Sequence, residues 1–323
     1  MSRAAATLKH LSRNGTELLA TYWMHAGPAN PERERRWSPW SLESRLSALK
    51  TAGFCGIGLF HDDLAHVLRH EARGTTRSHR LEWVRDLLRG HGFIHVELEC
   101  LNNWMLPKTD PRFLAEQPLR ELLIQAASIL GARHLKIGNF GVPVPIRSLR
   151  SAYRRLCEEL RAGGTRVGFE IYRPDPNAQS LAQVLEWVSG HDNGGVFLDS
   201  WHVANMPQIS HEDIAALDRR DLVGVELSDG LHLGSPPAAY EDSVGFPSFR
   251  VQTANMRRIP GEGDYDLAGF IRAVIACGFS GPWGNEILSE EYRRLPMNIA
   301  YPRVAEASRR LLQQAAVPRR VFG

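Results

Sequence analysis

"RVGFEIYRPDPNAQSLAQVLEWVSGHDNGGVFLDSWH" runs from Arg166 to His202. Its two ends read as short apolar strands, "RVGFEIY" (166–172) and "GVFLDS" (195–200). Apolar runs of this length suit strands buried on both faces. Between them "LAQVLEWVSG" has the apolar spacing of a helix. Two strands joined through a helix pair in parallel by a right-handed crossover. Each strand closes on a carboxylate, Glu170 and Asp199, and His202 follows the second by three residues.

The same unit recurs along the chain. Strands are expected at 17–24, 54–60, 93–99, 133–139, 166–172, 195–200, 222–228 and 281–287. Amphipathic stretches separate them, such as "SLESRLSALKTAG" (41–53), with a Ser cap and a Gly stop, and "SHRLEWVRDLLRGHG" (78–92). Eight strand–helix units in a chain of this length predict an α/β fold, a closed (β/α)8 TIM barrel. A doubly wound open sheet is the main alternative, but no Gly-x-Gly-x-x-Gly follows the first strand. One domain is expected over 1–323, its barrel core at about 17–315. One connection is out of scale: residues 230–263, after strand seven, form a lid, an interface arm or a disordered insert.

A chain of 323 residues with 43% hydrophobic content can bury a large core. The formal net charge of +3 is spread along the chain, so no nucleic-acid partner is expected. The arginine pairs at 219–220 and elsewhere read mainly as solvated faces. Four cysteines without close spacing point to free thiols in a reducing cytoplasm. "MSRAAATLKHLSRNG" has no signal-peptide core, and no stretch is apolar enough to span a membrane. A homodimer built on the insert or on "RRWSPW" (35–40) is one expectation; packing of that stretch on its own barrel is the other.

The chemistry lies at the strand ends. Side chains at the C-terminal ends of barrel strands share one cleft. Strands five to eight place Glu170, Asp199, Glu226 and Glu286 there. Singly, each could cap a helix or pair with an arginine. Together they would repel, and a divalent cation resolves the conflict. Oxygen donors favour Mn²⁺ or Mg²⁺, with Co²⁺ or Zn²⁺ as lesser alternatives. His202 would enter the same cleft, to bind a small-molecule substrate, donate a proton or join a second metal, while Trp201 lines the cleft or packs. Earlier strands add His61, Glu97, Glu99 and Lys136, each read either as lining the substrate site or as a structural partner. Lys136 could instead neutralise Glu170 on the next strand.

The motifs "EI" (170–171), "LDSWH" (198–202), "VELSD" (225–229), "RRIPGEGDYDL" (257–267) and "GFSGPWGNEI" (278–287) resemble the sugar phosphate isomerase/epimerase family, xylose isomerase-like barrels related to endonuclease IV. The resemblance implies that Glu170, Asp199 and Glu286 bind metal. It implies His or Gln at the strand-seven position, where this chain has Glu226, leaving a fourth carboxylate ligand or a position that no longer binds. It implies that Arg258, rather than Arg257, contacts substrate, and that "GEG" (261–263) is a turn.

Such a site suits proton movement beside a carbonyl, with Glu170 and Glu286 as acid/base groups of an enediolate-forming isomerase or epimerase. The alternatives are a lyase of the dehydroshikimate dehydratase type, a non-catalytic barrel, and a nuclease like endonuclease IV. The last would want histidines where strands three and seven carry glutamates.

Overall fold

In the computed structural model, which describes residues 16–139, 141–232 and 248–316, all eight expected strands form. They are β1 (Leu18–Ala20), β2 (Gly56–Phe60), β3 (His95–Leu101), β4 (His134–Ile137), β5 (Arg166–Glu170), β6 (Gly194–Asp199), β7 (Leu222–Leu227) and β8 (Trp283–Asn285). Each pairs in parallel with the next, and β8 closes on β1 through Leu19 opposite Gly284. The barrel is a closed parallel TIM barrel, and the open-sheet alternative falls away.

Alternation along each strand divides its side chains between two environments. Leu98, Leu135, Phe169, Leu198 and Leu227 face outward and join the helices in one continuous core. Phe169 meets Trp187 of the helix Leu181–Val188 edge to face at 4.6 Å. The inward positions are unusually polar, and glycines make room for them. Gly58 lies opposite Glu97, and a Cβ there would come within 2.6 Å of the Glu97 carboxyl. Gly284 lies opposite Glu226 and leaves space for its side chain in the same way.

Helix boundaries follow their caps. The helix Leu42–Ala52 begins where Ser41 accepts the Ser44 N–H and ends at Gly53, whose φ of 86° is left-handed. Expected strand one is shorter than its apolar run, because Tyr22–His25 turns into a buried helix. A short buried helix and a buried strand have the same apolar signature. The stretch 35–40 packs on this barrel: Trp40 covers Gly27 and Trp37 stacks on His66 at 5.5 Å. All four cysteines are free. No helix of the described residues is long and apolar enough to cross a membrane.

The insert between β7 and the helix Leu267–Ala276 falls partly outside the described residues, at 233–247. Its far part is ordered. The helix Phe249–Asn255 is tied to the barrel by Asn255, whose side-chain oxygen accepts from Asn30 and Arg293 at 3.0 and 2.8 Å. Asp229 then gathers the N–H groups of Gly261, Gly263 and Tyr265, fixing the "GEG" turn in a structural role.

Candidate functional site

β6 explains why an apolar strand ends in an acid followed by a histidine. Asp199 is the N-cap of the helix Ser200–Ala204 and accepts the Trp201 N–H at 2.9 Å. That first turn brings His202 back over the barrel mouth, its Nε2 3.8 Å from Asp199 and 3.7 Å from Glu170. One strand end therefore delivers a carboxylate and an imidazole to one place.

The four expected carboxylates converge. Oxygens of Glu170, Asp199, Glu226 and Glu286 all lie within 4.8 Å of one another, and His202 makes a second such group with Glu170 and Asp199. Two cations reach into the cluster. Lys136 Nζ, buried on β4, is 2.7 Å from Glu226, 3.1 Å from Glu99, 3.3 Å from Glu286 and 4.0 Å from Glu170. Arg257 Nη1 binds Asp199, Glu286 at 2.8 Å and the Ser228 hydroxyl at 2.9 Å. Its guanidinium lies over the Trp201 ring.

Charge still does not balance. Six inward acids (Glu97, Glu99, Glu170, Asp199, Glu226 and Glu286) face two cations, Lys136 and Arg257, leaving four negative charges if every acid ionises. Burial, with Glu286 and Asp199 close by, pushes Glu170 up to about 8 against the pull of Lys136. Burial likewise lifts Glu97 and Glu99 to about 7, and lifts Glu226 well above the carboxylate range. Burial disfavours the Lys136 charge, yet Glu170, Glu226 and Glu286 hold its pKa well up. Burial keeps His202 neutral, and Arg257 adds to that.

Two observations fit this donor set to a divalent cation. Glu226 Oε2 is fully buried and has no hydrogen-bond partner. The four oxygens also come from carboxylates alone, which suit hard cations. Glu170, Asp199, Glu226 and Glu286 are the residues that would hold such an ion.

Above the cluster opens a cleft of about 780 Å³, walled by Trp23, Phe60, Tyr172 and Leu288. His61, Glu99, Lys136, Glu170, His202 and Glu286 reach it. Burial lowers His61 to about 4; its Nδ1 accepts the Cys100 N–H at 3.3 Å.

One sequence expectation needs correction, and at Glu97 and Trp201 the structural alternative is the one found. Arg258 is not the arginine of the site: it pairs with Glu291 at the rim, and Arg257 takes the inward place. Consecutive residues of an extended segment face opposite ways, and the "RR" pair alone did not tell which. Glu97 lies one layer below the cleft, held by His134 at 2.9 Å. Trp201 is 1% exposed and supports Arg257 from behind. The sequence reading also missed Tyr172 and the helix Phe249–Asn255, whose Thr253 carbonyl accepts Arg257 Nε at 3.0 Å. The alternation of β5 continued by two residues past Glu170 points to Tyr172.

The fold and site define a class: a (β/α)8 barrel with a cluster of acids at the C-terminal ends of its strands. Residues 46–315 match the xylose isomerase-like TIM barrel family, and the chain belongs to it. It is 26% identical over 264 residues to a 3-dehydroshikimate dehydratase of Pseudomonas aeruginosa, a match covering 79% of this chain and 37% of that protein. The chain thus spans well under half the length of that relative. Its fold is similar to that of the IolI protein with a bound zinc atom (TM-score 0.68, 17% identity, 93% of this chain and 99% of that one). It is also similar to a D-allulose 3-epimerase from Methylomonas in complex with D-allulose (TM-score 0.65, 16% identity, 92% and 96%).

Proposed function

We propose that this chain is a divalent-metal-dependent enzyme that moves a proton at the carbon beside a carbonyl of a sugar or related polyhydroxy compound, with isomerisation or epimerisation as the outcome. The observation that carries this reading is Glu170. It is the acid of the four-carboxylate cluster that makes no hydrogen bond among the described residues, and 19% of its side chain is open to the cleft. Asp199 is held by Arg257 and the Trp201 N–H, and Glu286 by Arg257 and Lys136.

Glu170, protonated in the metal-free protein and ionised once a cation shares the cluster, would take the carbon-bound proton as general base. The electron pair moves to the carbonyl oxygen, giving an enediolate. Neutral His202, 3.7 Å from Glu170, is placed to donate an N–H hydrogen bond to a substrate oxygen on the same face, and the proton held by Glu170 returns to the neighbouring carbon to give the product. Glu286, bound at both oxygens, holds the centre together more readily than it swings to substrate. A cation held by the four acids would supply Lewis-acid polarisation of the substrate oxygens. The oxygen donors favour Mn²⁺ or Mg²⁺, and the zinc atom bound by IolI makes Zn²⁺ the next candidate. Arg257, His61, Glu99 and Lys136 would frame the substrate.

A lyase reading has support of its own. The Pseudomonas aeruginosa relative is a dehydratase, and loss of a β-hydroxyl from the same enolate needs Glu170 as base, with the proton it has taken passing to the departing hydroxyl so that water leaves. Incubation with Mn²⁺ and a panel of keto sugars and cyclic hydroxy-ketones in deuterated water separates the outcomes. Isomerisation incorporates deuterium at constant composition, and dehydration shows the mass of lost water. The proposal expects exchange that vanishes in Glu170→Gln. Absence of exchange and of dehydration across the panel would defeat it.

A further inference from the structure

We propose that Lys136 and Glu226 act as one charge-matched unit that sets how tightly the centre holds its divalent cation; this rests on the metal reading above. Lys136 extends from β4 across the barrel, its ammonium 5.2 Å from the Phe197 ring centre and 2.7 Å from Glu226 Oε1 on β7. An ammonium has three protons. Glu226, Glu99 and Glu286 lie 2.7, 3.1 and 3.3 Å away, one for each. The side chain is 2% exposed. Lys136 is therefore fixed within the cluster and is not a mobile arm reaching for substrate.

Glu226 is divided between two tasks. One oxygen is taken by Lys136, while Oε2 is buried without a partner, and a Glu226 oxygen lies within 4.8 Å of oxygens from Glu170, Asp199 and Glu286. Burial favours the protonated form of Glu226 in the metal-free protein, but the form that would bind a cation is the carboxylate, and a carboxylate and an ammonium in contact sum to zero charge. The pair thus supplies an oxygen donor at β7 without net charge, while standing a positive charge beside the cation position. Like charges at this range in a poorly screened interior repel strongly. The ammonium weakens the hold on the ion, and the Glu226 carboxylate strengthens it.

Calorimetric Mn²⁺ titration of the two single variants and the double variant tests the opposing effects of the two charges on the ion, and the melting temperatures of the metal-free proteins test the coupling between the residues. Lys136→Met is expected to tighten Mn²⁺ binding at least tenfold, and Glu226→Gln to weaken it by a similar factor. The double variant should return to within about threefold of the parent. The melting temperature of the metal-free proteins is a second readout: Lys136→Met should melt well below the parent, and the double variant should recover most of the loss. If Lys136→Met does not fold, binding at least tenfold tighter in the double variant than in Glu226→Gln carries the same conclusion. Equal affinity in all variants overturns the pairing and leaves the metal reading intact. No binding by the parent or any variant overturns the metal reading, and the pairing with it.

Discussion

Two buried ionic clusters of this barrel differ in their balance. In the first, Arg45 binds Asp63 at 2.9 Å, with both side chains at most 1% exposed. Its Nη1 donates to His25 Nδ1 at 3.1 Å, and His25 Nε2–H donates to the Gly58 carbonyl at 2.9 Å. Ser38 N–H completes Asp63. One cation faces one anion, and burial with Arg45 nearby holds His25 down to about 3, so it is neutral. In the second cluster, at the strand ends, six acids face two cations and the Glu226 Oε2 is left without a partner. The first is balanced in charge, one cation against one anion, although Arg45 Nε is buried there without a hydrogen-bond partner. The second is acid-rich, open to a cleft and short of positive charge. Buried ionic groups alone do not mark a site; an unbalanced set that opens to solvent does.

The comparison can be broken most sharply by separating activity from stability. Glu170→Gln should lower turnover by about 10²–10⁴-fold while leaving the unfolding midpoint of the metal-free protein unchanged or higher, because it removes a buried acid. Kinetics and denaturant unfolding on the same preparation check both halves. Arg45→Met should do the reverse, destabilising by about 3–5 kcal/mol through the stranded Asp63 and sparing Mn²⁺ binding by the folded fraction.

A third test uses pH. Glu97, Glu99 and Glu170 keep their protons in the fold up to about 7, 7 and 8, whereas an unfolded glutamate loses its proton near 4.5. The folded state therefore binds more protons than the unfolded one between pH 6.5 and 8, and stability falls as pH rises. His25 and His61, lowered to about 3 and 4, act only below about 6.5, where falling pH costs stability. Metal-free protein should lose on the order of 2 kcal/mol between pH 6.5 and 8, and saturating Mn²⁺ should flatten that slope in thermal melts. The smallest effect belongs to Arg258, and its neighbour Arg257 is the contrast. Arg258→Ala, at the rim, should change stability by less than about 0.5 kcal/mol and leave turnover near the parent value. Arg257→Ala, which strands Asp199 and Glu286, should damage both.

The barrel was legible because its strands are apolar on one face and its helices carry their own caps, as at Ser41 and Gly53. The acids of β5 to β8 were legible because a carboxylate ending an apolar strand has few other destinations. Lys136 was visible as a neighbour of Glu170, but its reach across the barrel to Glu226 depends on closure and not on spacing. The choice between Arg257 and Arg258 depends on the facing of one extended segment. The depth of Glu97 depends on His134, a partner from the adjacent strand. The helix Phe249–Asn255 is short, and its anchor Asn255 meets partners distant in sequence, so no local pattern announces its place at the cleft.

The central claim is that the strand-end acids form a centre for one divalent cation. Its most direct test is calorimetric titration of Mn²⁺ into the metal-free protein and into Asp199→Asn. The account predicts one ion bound per chain, a rise in melting temperature on binding, and at least tenfold weaker binding in the variant. Failure of the parent to bind a divalent ion, or identical binding in Asp199→Asn, would contradict it.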